Sequence, residues 1–457
     1  MLLKIANTGI IHEANVALNG LTIIAGENDT GKSTVGKLMF SIVKAVSRYE
    51  QDLQESKEYQ IQKLLEDIYL DVRRYSDRRN EASEWRESFI PRNFLNVLRP
   101  FFDEKVKGLF DIDNTELELI FKERKKQTLN NPDISPQLVK RIIEKLEKLE
   151  ETLVKEDDKN ILIKRALNRA LISEFYSELS PKNSKQISTL EIVEGNIKIL
   201  NLEINENEVT KFNVNDILQF DDVTFIETPI ILQMYNVLNA ADTLFELSNE
   251  TKSYVLGNLN KPKIPLHLKD LIAKLENARY YSNNLYKNNF EHIEILKEIA
   301  KTINGDFTFE KNQKDFVFSK KINDSKNVEI KSVNTASGIK SFGIIQLLIQ
   351  AGFIDNRSLI IIDEPETHLH PKWQIEYAKL LIELVKNEIS ILVTSHSPYF
   401  IQALKVLSDQ AELQSQTNFY IAEKKQGTTF SNIKDVTNDL NRIFQKLAEP
   451  LQELVWQ

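Results

Sequence analysis

Cysteine is absent from the 457 residues. That removes disulfides, thiolate-ligated zinc, iron–sulfur clusters and thiol nucleophiles together. Glycine and proline are scarce, 13 and 12, and no Gly/Ser linker or low-complexity tract occurs. The lobes are therefore expected to be interleaved, without flexible tethers between them. Histidine numbers only six. No long apolar run exists: the most hydrophobic stretch, Phe342 to Ile354, is interrupted by Gln346 and Gln350. It falls short of the roughly 20 residues a membrane span needs. The opening MLLKIANTGIIHE lacks the basic start and apolar core of a secretion signal. Positive charge is not in excess either. Lys+Arg 59 against Asp+Glu 67 gives −8, with an isoelectric point near 5.6. Any polyanion must be gripped locally, not by the whole surface. These absences lead us to expect a soluble, cytoplasmic protein with no membrane partner.

What is present suffices for sizeable cores: 41% hydrophobic residues, 23 Phe, 13 Tyr and 3 Trp. At about 150 residues per domain the length suggests roughly three folding units. Leu2–Ile11 and Leu21–Ala25 read as strands, and Val35–Val46 as a helix. From about Tyr49 to Ala170 the texture becomes charged, with apolar residues at helical spacing. Pro136 opens the clearest helix, with Ser135 as N-cap and Leu138, Ile142, Leu146, Leu149 and Leu153 on one face. Ser188–Phe212 alternates around Glu194-Gly195-Asn196 and predicts a hairpin. Val223–Ile226 is a further strand, Leu266–Ile303 is helical, and strands follow at Phe307–Phe309, Phe316–Phe318 and Val328–Val333. Helices at Ile339–Gln350 and Trp373–Val385 then alternate with strands at Leu359–Ile362 and Ile389–Thr394. Such alternation predicts an α/β fold with a parallel core sheet.

Gly26-Glu-Asn-Asp-Thr-Gly-Lys32-Ser33 is a GxxxxGK[ST] loop between a strand and a helix. The backbone N–H groups of Asn28, Asp29, Thr30, Gly31, Lys32, Ser33 and Thr34 suit phosphate oxygens, aided by the helix N-terminus. Lys32 is placed for the β/γ-phosphates and the Ser33 hydroxyl for Mg²⁺, so ATP and Mg²⁺ are the expected ligands. An ordinary glycine turn would not need the Lys-Ser pair. Leu359-Ile-Ile-Ile-Asp363-Glu364 brings two carboxylates to a strand end. Asp363 is the candidate for Mg²⁺ and Glu364 for polarising an attacking water; the alternative is an acidic strand end facing solvent. Glu366-Thr-His368-Leu-His370 also raises a transition-metal reading, though no further ligand cluster accompanies it. His396, after the next strand, is a candidate γ-phosphate donor or a lone surface histidine.

Together these pieces resemble an ABC-type ATPase head of the OLD/RecF/SMC-like class. Gly26–Ser33 matches its Walker A, Thr335-Ala-Ser337-Gly338-Ile-Lys340 its signature, and Leu359–Glu364 its Walker B. Glu366–His370 takes the D-loop position and Thr394-Ser-His396-Ser-Pro398 the H-loop. The resemblance covers about residues 1–44 and 307–450. It implies a head split across the chain: 1–48 with Walker A, a helical insertion at 49–180, a β-rich return at 181–233, a helical lid at 234–304, and the remaining motifs at 305–457. It also implies a composite site, in which Ser337 and Gly338 of one copy close over ATP held by another, giving a homodimer or higher oligomer. The catalytic set is then Glu364, His396 and Lys32. The usual second glycine and glutamine of the signature are replaced by Ile339 and Lys340. Lys340 either adds charge near the partner's γ-phosphate or caps its own helix. Gln233 is the candidate Q-loop residue.

Lys32 and Ser337 lie 305 residues apart. That insertion is too long for a transporter ATPase and lacks the heptads of an SMC arm. Too little follows His396 for an appended nuclease domain. The phrases GLTIIAGENDTGKST, TASGIKSFG, IIIDEPETHLHP and TSHSPYF resemble ATPase subunits of bacterial anti-phage systems, Septu first, with PARIS and retron-associated ATPases as alternatives. The resemblance implies a separate nuclease partner, HNH-type if Septu. A RecF/SMC-like repair ATPase that clamps DNA, and a scaffold that binds ATP but barely hydrolyses it, are the competing readings. Arg73-Arg74-Tyr75, Arg78-Arg79, Trp85-Arg86 and Lys122, Arg124, Lys125, Lys126 are candidate nucleic-acid contacts or solvated helix faces. Leu440–Trp456 is amphipathic, either a partner-docking helix or a packed terminal one.

Overall fold

The computed structural model describes residues 1–76, 84–102, 114–131, 134–154, 159–180, 186–238, 264–282, 292–310, 314–323 and 326–455. The chain opens with β1 (Leu2–Thr8), β2 (Ile11–Ala17) and β3 (Leu21–Gly26), then α1 (Lys32–Ser76). α2 (Pro91–Phe102), α3 (Asn114–Leu129), α4 (Pro136–Val154) and α5 (Lys159–Phe175) follow. Next come β4 (Ser188–Glu194), β5 (Ile197–Asn205), β6 (Glu208–Val214) and β7 (Asp222–Ile226), then α6 (Leu266–Ser282) and α7 (Ile293–Ile303). The last part holds β8 (Gly305–Glu310), β9 (Asp315–Asn323), β10 (Lys326–Lys331), α8 (Ser337–Gln350), β11 (Ser358–Asp363) and α9 (Pro371–Lys386). It ends with β12 (Ser390–Ser395), α10 (Pro398–Gln410), β13 (Thr417–Lys424), β14 (Ser431–Asp435) and α11 (Asn441–Val455).

Packing divides the chain into two units, residues 1–47 with 164–457, and residues 48–163. The first is an α/β unit on an eleven-stranded mixed sheet ordered β6-β5-β4-β1-β2-β14-β13-β3-β12-β11-β7. The run β7-β11-β12-β3-β13 is parallel, as strand–helix alternation predicts. Beyond it, β2, β1, β4, β5 and β6 form an antiparallel meander, so the expected hairpin at 188–212 gains a third strand. β8, β9 and β10 form a separate antiparallel sheet. The all-buried run of β3 is framed by two parallel neighbours, which explains why it reads as continuously apolar. α1 reaches the sheet closely at Gly36, where a Cβ would lie 2.8 Å from the Phe225 ring and 2.9 Å from Ile361.

One boundary differs from the sequence reading. The insertion expected to run to residue 180 ends, in packing, at 163. The reason is polar anchoring of α5 to the sheet: Lys164 Nζ donates to the Thr210 carbonyl at 3.1 Å, and Val209 N donates to Asn168 Oδ1 at 2.8 Å. The described helices of the expected lid, α6 and α7, each bury one face in the core. Leu271, Leu275, Ile295 and Ile299 are at most 2% exposed and join the main hydrophobic cluster with Phe307, Phe342 and Leu381. The helical unit has its own core of Ile61, Leu65, Ile68, Phe89, Phe94, Phe121, Ile142 and Leu146. In α4 the predicted face is buried at Ile142, Leu146, Leu149 and Leu153.

Candidate nucleotide-binding site

The parallel order brings four strand ends to one edge. Ile226 of β7 pairs with Ile362 of β11, Asp363 with Thr394 of β12, and Ser395 with Ala25 of β3. Glu227, Asp363, His396 and the Gly26–Ser33 loop therefore follow their strands onto the same rim. The loop turns at Gly31, whose φ of 85° is left-handed and free of cost only without a Cβ. α1 starts at Lys32, so its first unpaired N–H groups face the cleft. Asn28, Asp29, Thr30, Gly31, Lys32, Ser33 and Thr34 line an open cleft of about 380 Å³ with Ile10, Asp363 and Glu364.

Within it Lys32 is 4% exposed. Its Nζ donates to the carbonyls of Gly26 at 3.0 Å and Glu27 at 2.8 Å, and lies 3.5 Å from Glu364 Oε1. Ser33 Oγ donates to Asp363 Oδ1 at 2.9 Å, and the Thr394 hydroxyl donates to the same oxygen. Burial pushes the Asp363 carboxyl above its ordinary range, against those two hydrogen bonds. Glu364 has φ 47°, an unfavourable left-handed backbone for a non-glycine, held by its N–H to the Thr394 carbonyl and hydroxyl, both at 3.1 Å. His396 Nδ1 lies 3.4 Å from Glu364 Oε1 and 3.5 Å from Glu366 Oε1.

Sequence reasoning missed Glu366 as more than a D-loop position. It is 4% exposed, and its Oε1 accepts from Ser395 Oγ at 2.6 Å, His396 N at 2.8 Å and Ser397 N at 3.1 Å. The carboxylate thus fixes the turn that carries His396. In the segment that raised a transition-metal reading, Glu366 Oε1 is engaged by that turn, and His370 Nδ1 accepts from Lys372 N at 3.3 Å as the cap of α9. No group of three His, Cys, Asp or Glu suited to a metal occurs among the described residues.

Ser337, Gly338 and Lys340 are not brought to this cleft. Ser337 Oγ donates to the His368 carbonyl at 3.3 Å, and Gly338 faces Leu369 and Trp373. Lys340 is 4% exposed and neither caps its helix nor projects outward; its Nζ donates to Gln233 Oε1 at 2.6 Å. Desolvation lowers its pKa. Gln233 is accordingly engaged by Lys340, while Glu227 occupies the rim beside Asp363.

The basic residues singled out in the sequence divide between packing groups and exposed positions. The Trp85 indole donates to Thr128 Oγ1 at 3.4 Å and its ring packs edge-on to Phe89 at 5.6 Å, so it is not a free stacking platform. Arg124 covers the Phe94 and Phe89 rings at 5.1 and 5.7 Å, and burial lowers its pKa. Lys125 pairs with Glu150 at 2.7 Å. Arg73, Lys122 and Lys126 are exposed, and Arg86 is half-buried. Arg78 and Arg79, like Trp456, lie outside the described residues, as do the side chains of Arg74 and Tyr75. Leu440, Phe444 and Leu447 pack on the main core, so the C-terminal helix is packed in its first half, while Leu454 is exposed. Among the described residues no helix is long and apolar enough to cross a membrane.

A strand–loop–helix with GK[ST] at a parallel sheet edge, facing two carboxylates, defines a P-loop nucleotide-binding protein. The chain belongs to the AAA ATPase domain family, whose pattern matches residues 1–401. Over 52 residues it is 40% identical to the Septu protein PtuA of Bacillus thuringiensis, a stretch covering 11% of this chain and 13% of that protein. Among solved structures it is similar to the SMC head domain from Thermotoga maritima, at 10% identity and TM-score 0.36 over 95% of this chain and 98% of that one. It is also similar to a Pyrococcus furiosus Smc head domain bound to the C-terminal domain of ScpA, at 11% identity and TM-score 0.39 over 99% and 98%.

Proposed function

We propose that this chain binds and hydrolyses ATP as the ATPase subunit of an anti-phage defence complex, with nuclease activity supplied by a separate chain, HNH-type if the system is Septu. The observation that carries the ATPase reading is the convergence of Lys32, Ser33, Asp363, Glu364 and His396 on one cleft. The local identity with PtuA supports the defence reading.

The loop N–H groups from Asn28 to Thr34 receive the phosphates, and Lys32 exchanges its carbonyl partners for β/γ oxygens. Glu364 takes the proton of the attacking water, and His396, whose Nδ1 lies 3.4 Å from Glu364 Oε1, donates to the γ-phosphate. The Ser33 hydroxyl and the half-buried Asp363 carboxylate, 2.9 Å apart, are hard oxygen donors that would hold a Mg²⁺ ion. The chemistry such an ion would supply is neutralisation of charge developing on the phosphates. Ser337 and Gly338, remote from their own cleft, are assigned to the ATP of a second copy, so that ATP joins two subunits.

Single-turnover hydrolysis with Glu364→Gln tests the chemistry: a loss of about 10²–10⁴-fold with nucleotide binding retained is expected, and equal rates refute it. Light scattering with ATP tests the composite site. Ser337→Arg is expected to abolish ATP-dependent assembly, and intact assembly refutes the trans arrangement. Co-purification with the product of the adjacent reading frame tests the nuclease partner. DNA cleavage by this chain alone overturns that part, and tight DNA clamping without a partner favours the repair-type reading.

A further inference from the structure

His267 and Glu174 are both fully buried, and the catalytic assignment above uses neither. The His267 ring lies between two carboxylates. Nδ1 is 2.6 Å from Glu174 Oε2, and Nε2 is 2.9 Å from Glu227 Oε2. The backbone N–H of His267 also donates to Glu174 Oε1 at 2.8 Å, so Glu174 grips the residue at two points. Phe225 packs against the imidazole at 4.8 Å and Phe40 meets it edge-on at 6.2 Å. Both ring nitrogens face acceptors, so the species that satisfies them is the imidazolium. Burial opposes that charge, but the hydrogen bonds to Glu174 and Glu227 outweigh it and raise the pKa. The same bond from His267 lowers that of Glu227.

A buried ion pair is weak evidence for stability, because desolvation offsets most of the attraction. What distinguishes this one is where it leads. Glu227 follows β7 directly onto the rim, lines a crevice with Asp363 and Glu364, and is 39% exposed on its side chain. Its Oε1 lies 3.8 Å from Lys37 Nζ, on the second turn of α1. The carboxylate is therefore held from two sides, in one orientation, ionised, beside the candidate cation-binding carboxylate. An ionised carboxylate only accepts hydrogen bonds. It repels phosphate oxygens, and suits water carried on a cation or water near the phosphates.

We propose that Glu174 and His267 are positioning residues for the nucleotide site, acting through Glu227, which presents a fixed acceptor to cleft water next to Asp363. This rests on the ATPase reading above. Partners behind a metal site commonly change affinity or activity by about 10–100-fold when removed, and that is the size of effect expected here.

The test uses the full chain with Mg²⁺, ATP and ADP. Glu227→Gln and His267→Gln are each expected to raise the Mg²⁺ concentration for half-maximal hydrolysis about 10-fold or more. ATP affinity in EDTA should stay unchanged. The double variant should be no worse than Glu227→Gln alone, because the two act through one carboxylate. If His267→Gln fails to fold, imidazole nitrogen NMR on the wild type carries the test. The imidazolium resonance that moves in Glu227→Gln is expected to shift on adding Mg²⁺·ADP, and that nucleotide shift to vanish in Glu227→Gln. An unmoved resonance, or Glu227→Gln with wild-type Mg²⁺ dependence while Glu364→Gln is inactive, overturns the relay and leaves the ATPase reading standing. Absence of nucleotide binding by the wild type overturns both.

Discussion

Lys340 Nζ donates to Gln233 Oε1 at 2.6 Å, tying the first turn of α8 to the segment that leaves β7. A lysine that is 4% exposed has given up most of its hydration for one neutral acceptor. Removing the charge and removing its partner should therefore have unequal effects. Lys340→Met replaces a desolvated ammonium by an apolar chain of similar length, and its unfolding free energy should change by less than about 1.5 kcal/mol. Gln233→Leu leaves the ammonium without that acceptor and should cost about 1–3 kcal/mol. Urea unfolding of the two variants decides it. A larger loss in Lys340→Met than in Gln233→Leu contradicts the assignment.

Glu366 is the hub of the turn bearing His396, with three donors on one oxygen. Hydrogen bonds to a charged group are each worth about 1.5–3 kcal/mol, and orphaned buried donors add their own penalty. Glu366→Ala should then lower stability by at least about 3 kcal/mol and lower turnover through a displaced His396. Glu366→Gln keeps an acceptor oxygen and should recover part of both. Thermal unfolding and steady-state turnover, measured together on the two variants, should show that ordering.

The loop, the Asp363-Glu364 strand end and His396 were legible because each sits beside strongly apolar runs, and parallel strand ends must share an edge. Strand–helix alternation predicted the parallel run β7-β11-β12-β3 for the same reason. β13 and β14 were not legible: they follow the last recognisable motif and form an antiparallel pair appended to the parallel run. The fate of Lys340 was open in sequence because a long side chain can go outward or inward. Only the position of Gln233, 107 residues earlier, settles the direction. The pairing of Glu174 with His267, 93 residues apart, left no local signal at all. The packing roles of Arg124 and Trp85 were not legible because Arg and Trp serve equally well as packing groups, and the rings that Arg124 covers, Phe89 and Phe94, lie about 30 residues earlier in the chain.

The helical unit rests on a small core, so a single cavity there should be felt locally. Leu146 is wholly buried within it, on the face shared by Ile142 and Leu149. Leu146→Ala should cost about 2–5 kcal/mol. Hydrogen exchange should accelerate in α4 and in the α1 turns around Ile61 and Leu65. The β3 and β11 amides belong to the other unit's core and should keep their protection.

Lys274 sits in a buried cluster with Asp222 at 2.7 Å and Asp270 at 3.3 Å, and Lys44 lies 2.6 Å from each of the same carboxylates. Desolvation, against the pull of Asp270, lowers the Lys274 pKa from 10.5 to about 8. In the unfolded chain the group keeps its ordinary value. Between about pH 8 and 10.5 the unfolded state therefore holds more protons, and stability rises with pH across that window. Below pH 8 both states are charged and Lys274 contributes no pH dependence. Lys274→Met removes the titration while the other lysines and the tyrosines remain in both proteins. The unfolding free energy of the wild type minus that of Lys274→Met should grow from pH 8 to pH 10 by about 2–3 kcal/mol. A difference that stays flat, or falls, would mean that Asp222 and Asp270 hold the ammonium charged despite its burial.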